Sequence, residues 1–278
     1  MSYYKALGLT QEPFSTSPDP AFFFRSSSHL QALHRIEIAV RLKRGLCLIL
    51  GDVGIGKTTL ARTLVAQLQP EPRFAFHLVM DPWFETEQQF LAGLCRMFHL
   101  TTACTTTAEC REAIEHYLFH QGVTEGKMTV LVIDEGQKLS HDMLEHLRVL
   151  LNYETNEYKL LQLVIFGQLE LLPRLQEMKN FMDRVALKYL INPLDEEETA
   201  QLIQFRLSAA GLPDDKALFT PDALHAMYHG TQGYPRRIAM LCHSALEALV
   251  MHERPIVDQP LVQELMAHES RWIAHGVA

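Results

Sequence analysis

The sequence predicts an α/β protein: a three-layer α/β/α domain around a central parallel sheet, followed by a small all-helical C-terminal domain. Three observations carry this expectation. Short apolar runs that read as buried strands alternate with longer amphipathic stretches between Leu46 and Leu190. A glycine-rich octapeptide, Gly51 to Thr58, joins the first of these runs to a helical stretch. Behind Pro193 the strand pattern stops and only helix signals remain.

In chain order, residues 1–28 are rich in Phe, Pro and Ser and read as an ordered, loop-rich strap. Pro13, Pro18 and Pro20 hold it extended, and Phe14, Phe22, Phe23 and Phe24 are expected to pack. A helix follows from Ser28 to Arg44, its apolar face formed by Leu30, Leu33, Ile36, Ile38, Val40 and Leu42. Leu46–Leu50 is the first strand, residues 57–69 the next helix, and Phe74–Val79 the second strand. Thr86, three residues before Gln89, signals a capping box for a helix through Phe98. The stretch 101–110 (TTACTTTAEC) reads as a loop plus an N-cap, not a metal site, ahead of a helix to Gln121. Val130–Ile133 is the third strand, apolar on both faces as parallel sheets require. Ser140 caps a helix carrying Met143, Leu144, Leu147, Leu150 and Leu151; Leu160–Phe166 is a fourth strand and Val185–Leu190 a weaker fifth. Asp195 with Glu198 caps a helix to Ala210, Thr220-Pro221 opens a second, a third runs from Pro235 to Met251, and Leu261–Ala267 is a short fourth. The expected division is therefore a strap (1–28), an α/β domain (29–193) and a helical domain (194–278).

Composition narrows the function. The 278 residues are 47% hydrophobic and 21% charged, which excludes a disordered or disulfide-scaffold chain. A net charge of −8 argues against coating nucleic acid by bulk charge. No apolar run is long enough for a membrane span, and the N-terminus lacks the layout of a secretory signal. Cys47, Cys95, Cys104, Cys110 and Cys242 contain no CxxC pair and read as reduced thiols of a cytosolic protein; the scattered histidines show no ligand spacing.

Two motifs carry chemistry. Gly51-Asp52-Val53-Gly54-Ile55-Gly56-Lys57-Thr58 fits GxxxxGK[ST], preceded by an apolar strand and followed by a helix that continues with Thr59. Its glycines let backbone amides and the helix N-terminus face phosphate oxygens; Lys57 neutralises the β- and γ-phosphates of ATP and Thr58 offers a hydroxyl to Mg2+. Seventy-seven residues after Lys57, the apolar strand Val130–Ile133 ends in Asp134 and Glu135. Asp134 is placed to hold Mg2+, and Glu135 to polarise a water for attack on the γ-phosphate.

These blocks, in order with PFSTSPDPAFFF, LRVLLNYETNEYKLLQLVIFGQLEL, DRVALKYLINPLDEEETAQLIQFRLSAAG and GYPRRIAMLCHSALEAL, resemble the AAA+ class of P-loop ATPases, and within it the ExeA (general secretion pathway protein A) type. The resemblance covers nearly the whole length. It implies a P-loop NTPase fold with a helical lid, ATP and Mg2+ as cofactors, and self-association into an AAA+ oligomer. It also implies roles for single residues. Gln168 matches the polar sensor of the γ-phosphate, the alternative being a cap for a helix starting at Leu169. Arg184 in FMDRV matches the arginine finger offered to a neighbouring subunit, with Arg174 as the rival and a salt bridge to Asp183 or Glu177 as the alternative. Arg236 in GYPRR matches the sensor arginine of the lid, reaching the same subunit's nucleotide between the two domains.

The resemblance implies an ATP-hydrolysing protein that supports type II secretion or pilus assembly through a protein partner. The family's longer members continue into a membrane span and a peptidoglycan-binding domain; this sequence is expected to work without them, cytoplasmic and recruited to the inner membrane by its partner. Two other classes stay open. A DNA-associated ATPase regulating transposition, of the TniB and TnsC type, would use the basic cluster Arg35, Arg41, Lys43 and Arg44. A slow nucleotide-gated switch would act by the protein it recruits.

Overall fold

The computed structural model describes residues 2–17, 19–100, 104–213 and 215–275; the expectations for Pro18 and for 101–103 lie outside the described residues. In chain order its main elements are α1 (Tyr3–Ala6), α2 (Ser27–Arg41), β1 (Leu46–Leu50), α3 (Lys57–Leu68), β2 (Phe74–Val79), α4 (Glu87–Met97), α5 (Thr107–Phe119), β3 (Met128–Ile133) and α6 (His141–Leu150). They continue with β4 (Leu161–Gly167), α7 (Leu171–Glu177), α8 (Lys179–Met182), β5 (Val185–Leu190), α9 (Glu196–Ala209), α10 (Pro221–Thr231), α11 (Pro235–Met251) and α12 (Gln259–His275).

The five strands form one parallel sheet in the order β2-β3-β4-β1-β5. Strand composition explains the order. β1, β3 and β4 are apolar at nearly every position and are buried along nearly their whole length, so they occupy the middle. β2 and β5 lie at the edges and are less buried: β2 is only partly covered from Ala75 to Leu78, and β5 alternates half-buried with exposed positions. On one face Leu46, Leu48, Leu50, Leu131, Ile133, Leu161, Leu163 and Ile165 pack with the apolar sides of α4, α5, α6, α7 and α8. The alternate residues Cys47, Ile49, Val130, Val132, Val164 and Phe166 are equally buried on the other face, where α2 and α3 meet the strands. Helix, sheet and helix make the three layers expected.

Capping residues set most helix starts. Thr106 with Glu109, and Asp195 with Glu198, form reciprocal capping boxes; Ser140 and Thr220 accept from the amides of Met143 and Ala223. At Thr86 only half of the box forms: its hydroxyl accepts from the Gln89 amide, while the Gln89 side chain takes the amide of Glu85. Some ends differ from expectation. α2 stops at Arg41 because Lys43 turns into the left-handed region (φ 54°) before Gly45 (φ 94°). α12 runs from Gln259 to His275, longer than the Leu261–Ala267 pattern, with Asp258 accepting from the Leu261 amide at its start. The strap contains the short helix α1 and a 3-10 turn at Pro20–Phe22.

The chain divides into two compact units, each with its own apolar core. One comprises Ser27–Val53 and Lys57–Ile191, the sheet with its helices. The other comprises the N-terminal segment through Ser26, Gly54–Gly56 and the chain from Asn192 onward. In the second unit Leu9 and Phe14 of the N-terminal segment are buried with Leu202, Ile203, Leu207, Met227, Ile238, Leu246 and Val262 of the helices. Phe14 meets Phe219 edge-on, Phe24 lies against Phe205, and Thr10 bonds the Ala210 carbonyl through both its amide and its hydroxyl.

Candidate functional site

Register brings the chemistry-bearing residues to one sheet edge. Leu50 of β1 pairs with Gly167 of β4, and Ile133 of β3 pairs with Ile165 of β4. The residues that follow these strands, Gly51, Asp134 and Gln168, therefore leave the sheet side by side at its C-terminal edge, where open α/β sheets place ligands. The Gly51 amide donates to the Gly167 carbonyl at 3.2 Å. Gly136, just beyond the carboxylates, passes so close to β4 that a Cβ there would meet Ile165 at 2.4 Å.

The octapeptide has the geometry of a phosphate-binding loop. Gly54 (φ 79°) and Gly56 (φ 101°) take conformations that side chains disfavour. Lys57 opens α3 and is 6% exposed. Its Nζ donates to the carbonyls of Gly51 and Asp52, each at 2.9 Å, so the loop closes around its own ammonium group. Burial pushes the Lys57 pKa down, while Glu135, Asp134 and Asp52 pull it back up. Thr58 and Thr59 follow in the first turn, where unpaired amides and the helix dipole favour an anion.

Thr58 Oγ1 donates to Asp134 Oδ2 at 2.5 Å, which joins the two motifs. Asp134 is 1% exposed; burial raises its pKa, opposed by the Thr58 hydroxyl and by the Glu135 amide, which donates to Oδ1 at 2.9 Å. A buried carboxylate beside a hydroxyl is an oxygen donor pair suited to a hard divalent cation, so the residues fit Mg2+. Glu135 takes the left-handed conformation (φ 53°), uncommon for a non-glycine residue and typical of over-determined functional turns.

Gln137 organises this turn. Its side-chain Nε2 donates to Glu135 Oε2 at 2.6 Å, and its Oε1 accepts from the Gln168 amide at 3.1 Å. Its backbone carbonyl accepts from Arg174, which also donates to the Leu139 carbonyl at 3.0 Å. Gln168 thus reaches the site through its amide and does not cap α7, whose N-cap position is Glu170. Arg174 is committed to carbonyls of its own chain. Arg184, half-buried in the turn before β5, forms no ion pair with Asp183 or Glu177 among the described residues. Gln137 stands in the motif VLVIDEGQKLS, but its place in the site depends on β4 lying alongside and is not signalled by spacing.

In the second unit the Arg236 amide, at the start of α11, donates to the Gly54 carbonyl at 3.1 Å. A Cβ on Gly54 would come within 2.8 Å of Arg236 Cβ. Arg237 lies over the Tyr234 ring. The basic cluster of α2 is largely engaged inside its own unit: Arg41 pairs with Glu37 and Glu71, Lys43 sits over Tyr158, and Arg35 over Tyr189. Among the described residues no helix is long and apolar enough to cross a membrane.

The model of the AAA domain family matches residues 40–175, which hold both motifs and Gln168. General secretion pathway protein A of Aeromonas hydrophila is 34% identical over 249 residues, spanning 88% of this chain and 44% of that protein. The chain thus spans less than half the length of this relative. Among solved structures, Cdc6p from Pyrobaculum aerophilum is similar with a TM-score of 0.69 at 15% identity, covering 88% of this chain and 67% of that one. The Aeropyrum pernix ORC1 protein in complex with DNA gives 0.64 at 18% identity, covering 87% and 65%. Fold, motif geometry and sequence likeness agree, and the chain belongs to the AAA+ P-loop ATPases of the general secretion pathway protein A (ExeA) type.

Proposed function

We propose that the chain binds ATP together with Mg2+ and hydrolyses it, using Glu135 as the base that orients and deprotonates the attacking water. The observation that carries this reading is the meeting of Lys57, Thr58, Asp134 and Glu135 at one sheet edge, joined by the Thr58–Asp134 hydrogen bond. Mg2+ would supply charge neutralisation to the phosphates. Thr58 and Asp134 present its oxygen donors. Lys57 exchanges the carbonyls of Gly51 and Asp52 for phosphate oxygens, and residues 51–59 wrap the phosphates with backbone amides. Gln137 holds the Glu135 carboxylate and the Gln168 amide on one side chain, which keeps the base and the sensor segment in fixed relation. The Arg236 amide donates to the Gly54 carbonyl within its own unit, and the family resemblance assigns this arginine the sensor role. Arg184 acts as the finger in a self-associated oligomer, because Arg174 is already spent on the carbonyls of Gln137 and Leu139.

Likeness to general secretion pathway protein A supports work in type II secretion or pilus assembly, with a protein partner drawing the chain to the inner membrane. The engaged state of Arg35, Arg41 and Lys43 weighs against a DNA-binding role for α2. The test is subunit mixing. Lys57→Ala alone should lose nucleotide binding, and Arg184→Ala alone should keep binding but lose turnover by about 10³-fold. Mixing the two should restore part of the turnover, since an intact finger then meets an intact loop. A mixture no more active than its components would refute the finger in trans; unchanged turnover in Arg184→Ala would remove Arg184 from the site.

A further inference from the structure

Three of the five cysteines converge away from the nucleotide edge. Cys95 lies in the last turn of α4, Cys110 in the first turns of α5, and Cys104 in the connection between these helices. Their Sγ atoms all lie within 4.8 Å of one another, and those of Cys95 and Cys104 are 4.0 Å apart. That spacing is about twice a disulfide bond length of ~2.05 Å, so the sulfurs face each other as thiols. Cys95 and Cys110 belong to the buried core, and Cys104 packs against it half-buried.

The arrangement has the dimensions of a coordination site. Three sulfurs around one ion at a metal–sulfur distance of about 2.3 Å stand about 4.0 Å apart in a trigonal plane. Ligand chemistry then selects the ion. Thiolates are soft donors that favour Cu(I), zinc and iron–sulfur centres over hard cations. Structural zinc takes four protein ligands. Among the described residues no fourth Cys, His, Asp or Glu joins this group. The nearest carboxylate in sequence, Glu109, is committed to the amides of Thr105 and Thr106 and the Thr105 hydroxyl. A three-coordinate soft ion fits what a four-coordinate one does not.

We propose that Cys95, Cys104 and Cys110 bind one monovalent copper ion as a three-sulfur site. Each S–H bond exchanged for an S–Cu bond releases one proton to solvent, and no electron is transferred. Occupancy ties the end of α4 to the start of α5 through the segment carrying Cys104. The spacing of these cysteines, nine and six residues apart, carries no ligand signature; the packing of α5 against α4 gathers them.

The experiment titrates Cu(I) anaerobically into the reduced full chain against a colorimetric Cu(I) chelator. The expected result is one equivalent retained per chain, with thiolate-to-copper absorption in the ultraviolet. Cys104→Ser, at the most exposed of the three positions, should weaken retention by more than about tenfold, since loss of an outer-shell partner alone costs that much. His225→Ala should leave retention unchanged, which separates the cluster from the exposed Glu196–His225–His229 group, whose ligand atoms also lie within 4.8 Å. No retained copper, or equal retention in Cys104→Ser, overturns the proposal. So does retention of Zn2+ in place of Cu(I). Should Cys104→Ser fail to fold by circular dichroism, X-ray absorption of the copper-loaded wild-type chain decides: three sulfur neighbours support the site and two overturn it.

Discussion

The two compact units treat polar groups in opposite ways. In the sheet unit Lys57, Asp134 and Gln137 are buried together at one edge, each bonded to another part of the site. In the helical unit the core from Leu9 to Val262 is apolar apart from the uncharged hydroxyls of Thr199 and Thr231 buried beside it, and its acidic cap Asp195 lies at the surface. Its half-buried cation, Arg206, has its pKa lowered by desolvation and spends one nitrogen on the Ser15 carbonyl, tying the N-terminal segment to α9. Burying charge is costly unless it is paired. The sheet unit bears that cost where three strand ends meet, which is where chemistry needs preorganised groups; the helical unit uses its interior for stability.

This contrast can be sharpened first by a mutation in the helical core. Leu246 is fully buried there, and Leu246→Ala should cost about 2–5 kcal/mol in denaturant unfolding while leaving the nucleotide affinity of the folded chain unchanged. A matching loss of affinity would show that the two interiors are not separable in role.

A smaller effect is expected from acid in the sheet unit. His77 on β2 bonds the Tyr117 hydroxyl at 2.9 Å and stacks edge-on with Phe98, and burial lowers its pKa to about 4. Between the ordinary value of 6.5 and about 4 the unfolded chain binds a proton that the native chain refuses. Stability is therefore flat above pH 6.5 and falls as pH drops from 6.5 toward 4. Discounted for partial exposure, the loss is about 1–2 kcal/mol. His77→Gln should flatten that part of the pH–stability curve; an unchanged slope would contradict the assignment.

The smallest expected effect lies at Gln137. Gln137→Leu removes the bond to Glu135 and substitutes an apolar side chain of similar size. Turnover should fall about tenfold, with nucleotide affinity retained, because the base loses its orientation but not its charge. Equal turnover would reduce Gln137 to a packing role.

Much of this architecture was legible in the residues. β1, β2 and β5 coincide with the apolar runs: Gly45 and Gly51 bound β1 at both ends, and Arg73 and Arg184 mark where β2 and β5 begin. The caps at Ser140, Asp195 and Thr220 were equally readable, since capping is a local hydrogen bond between near neighbours. What escaped depends on the meeting of distant segments. The side chain of Gln137 meets Gln168 only because β4 lies beside β3, and Arg174 becomes a brace only when α7 packs next to the Gln137 turn. The three cysteines gather through the packing of α4 on α5. Helix lengths also escaped where no cap marks the end, as at α12.

The central claim, that the edge formed by β1, β3 and β4 hydrolyses ATP with Glu135 as base, is tested most directly by single-turnover hydrolysis in Glu135→Gln. Glutamine preserves the shape of the side chain and removes its ability to take a proton. The account predicts ATP binding close to wild type and a hydrolysis step slower by about 10²–10⁴-fold. Wild-type hydrolysis in this variant would contradict it.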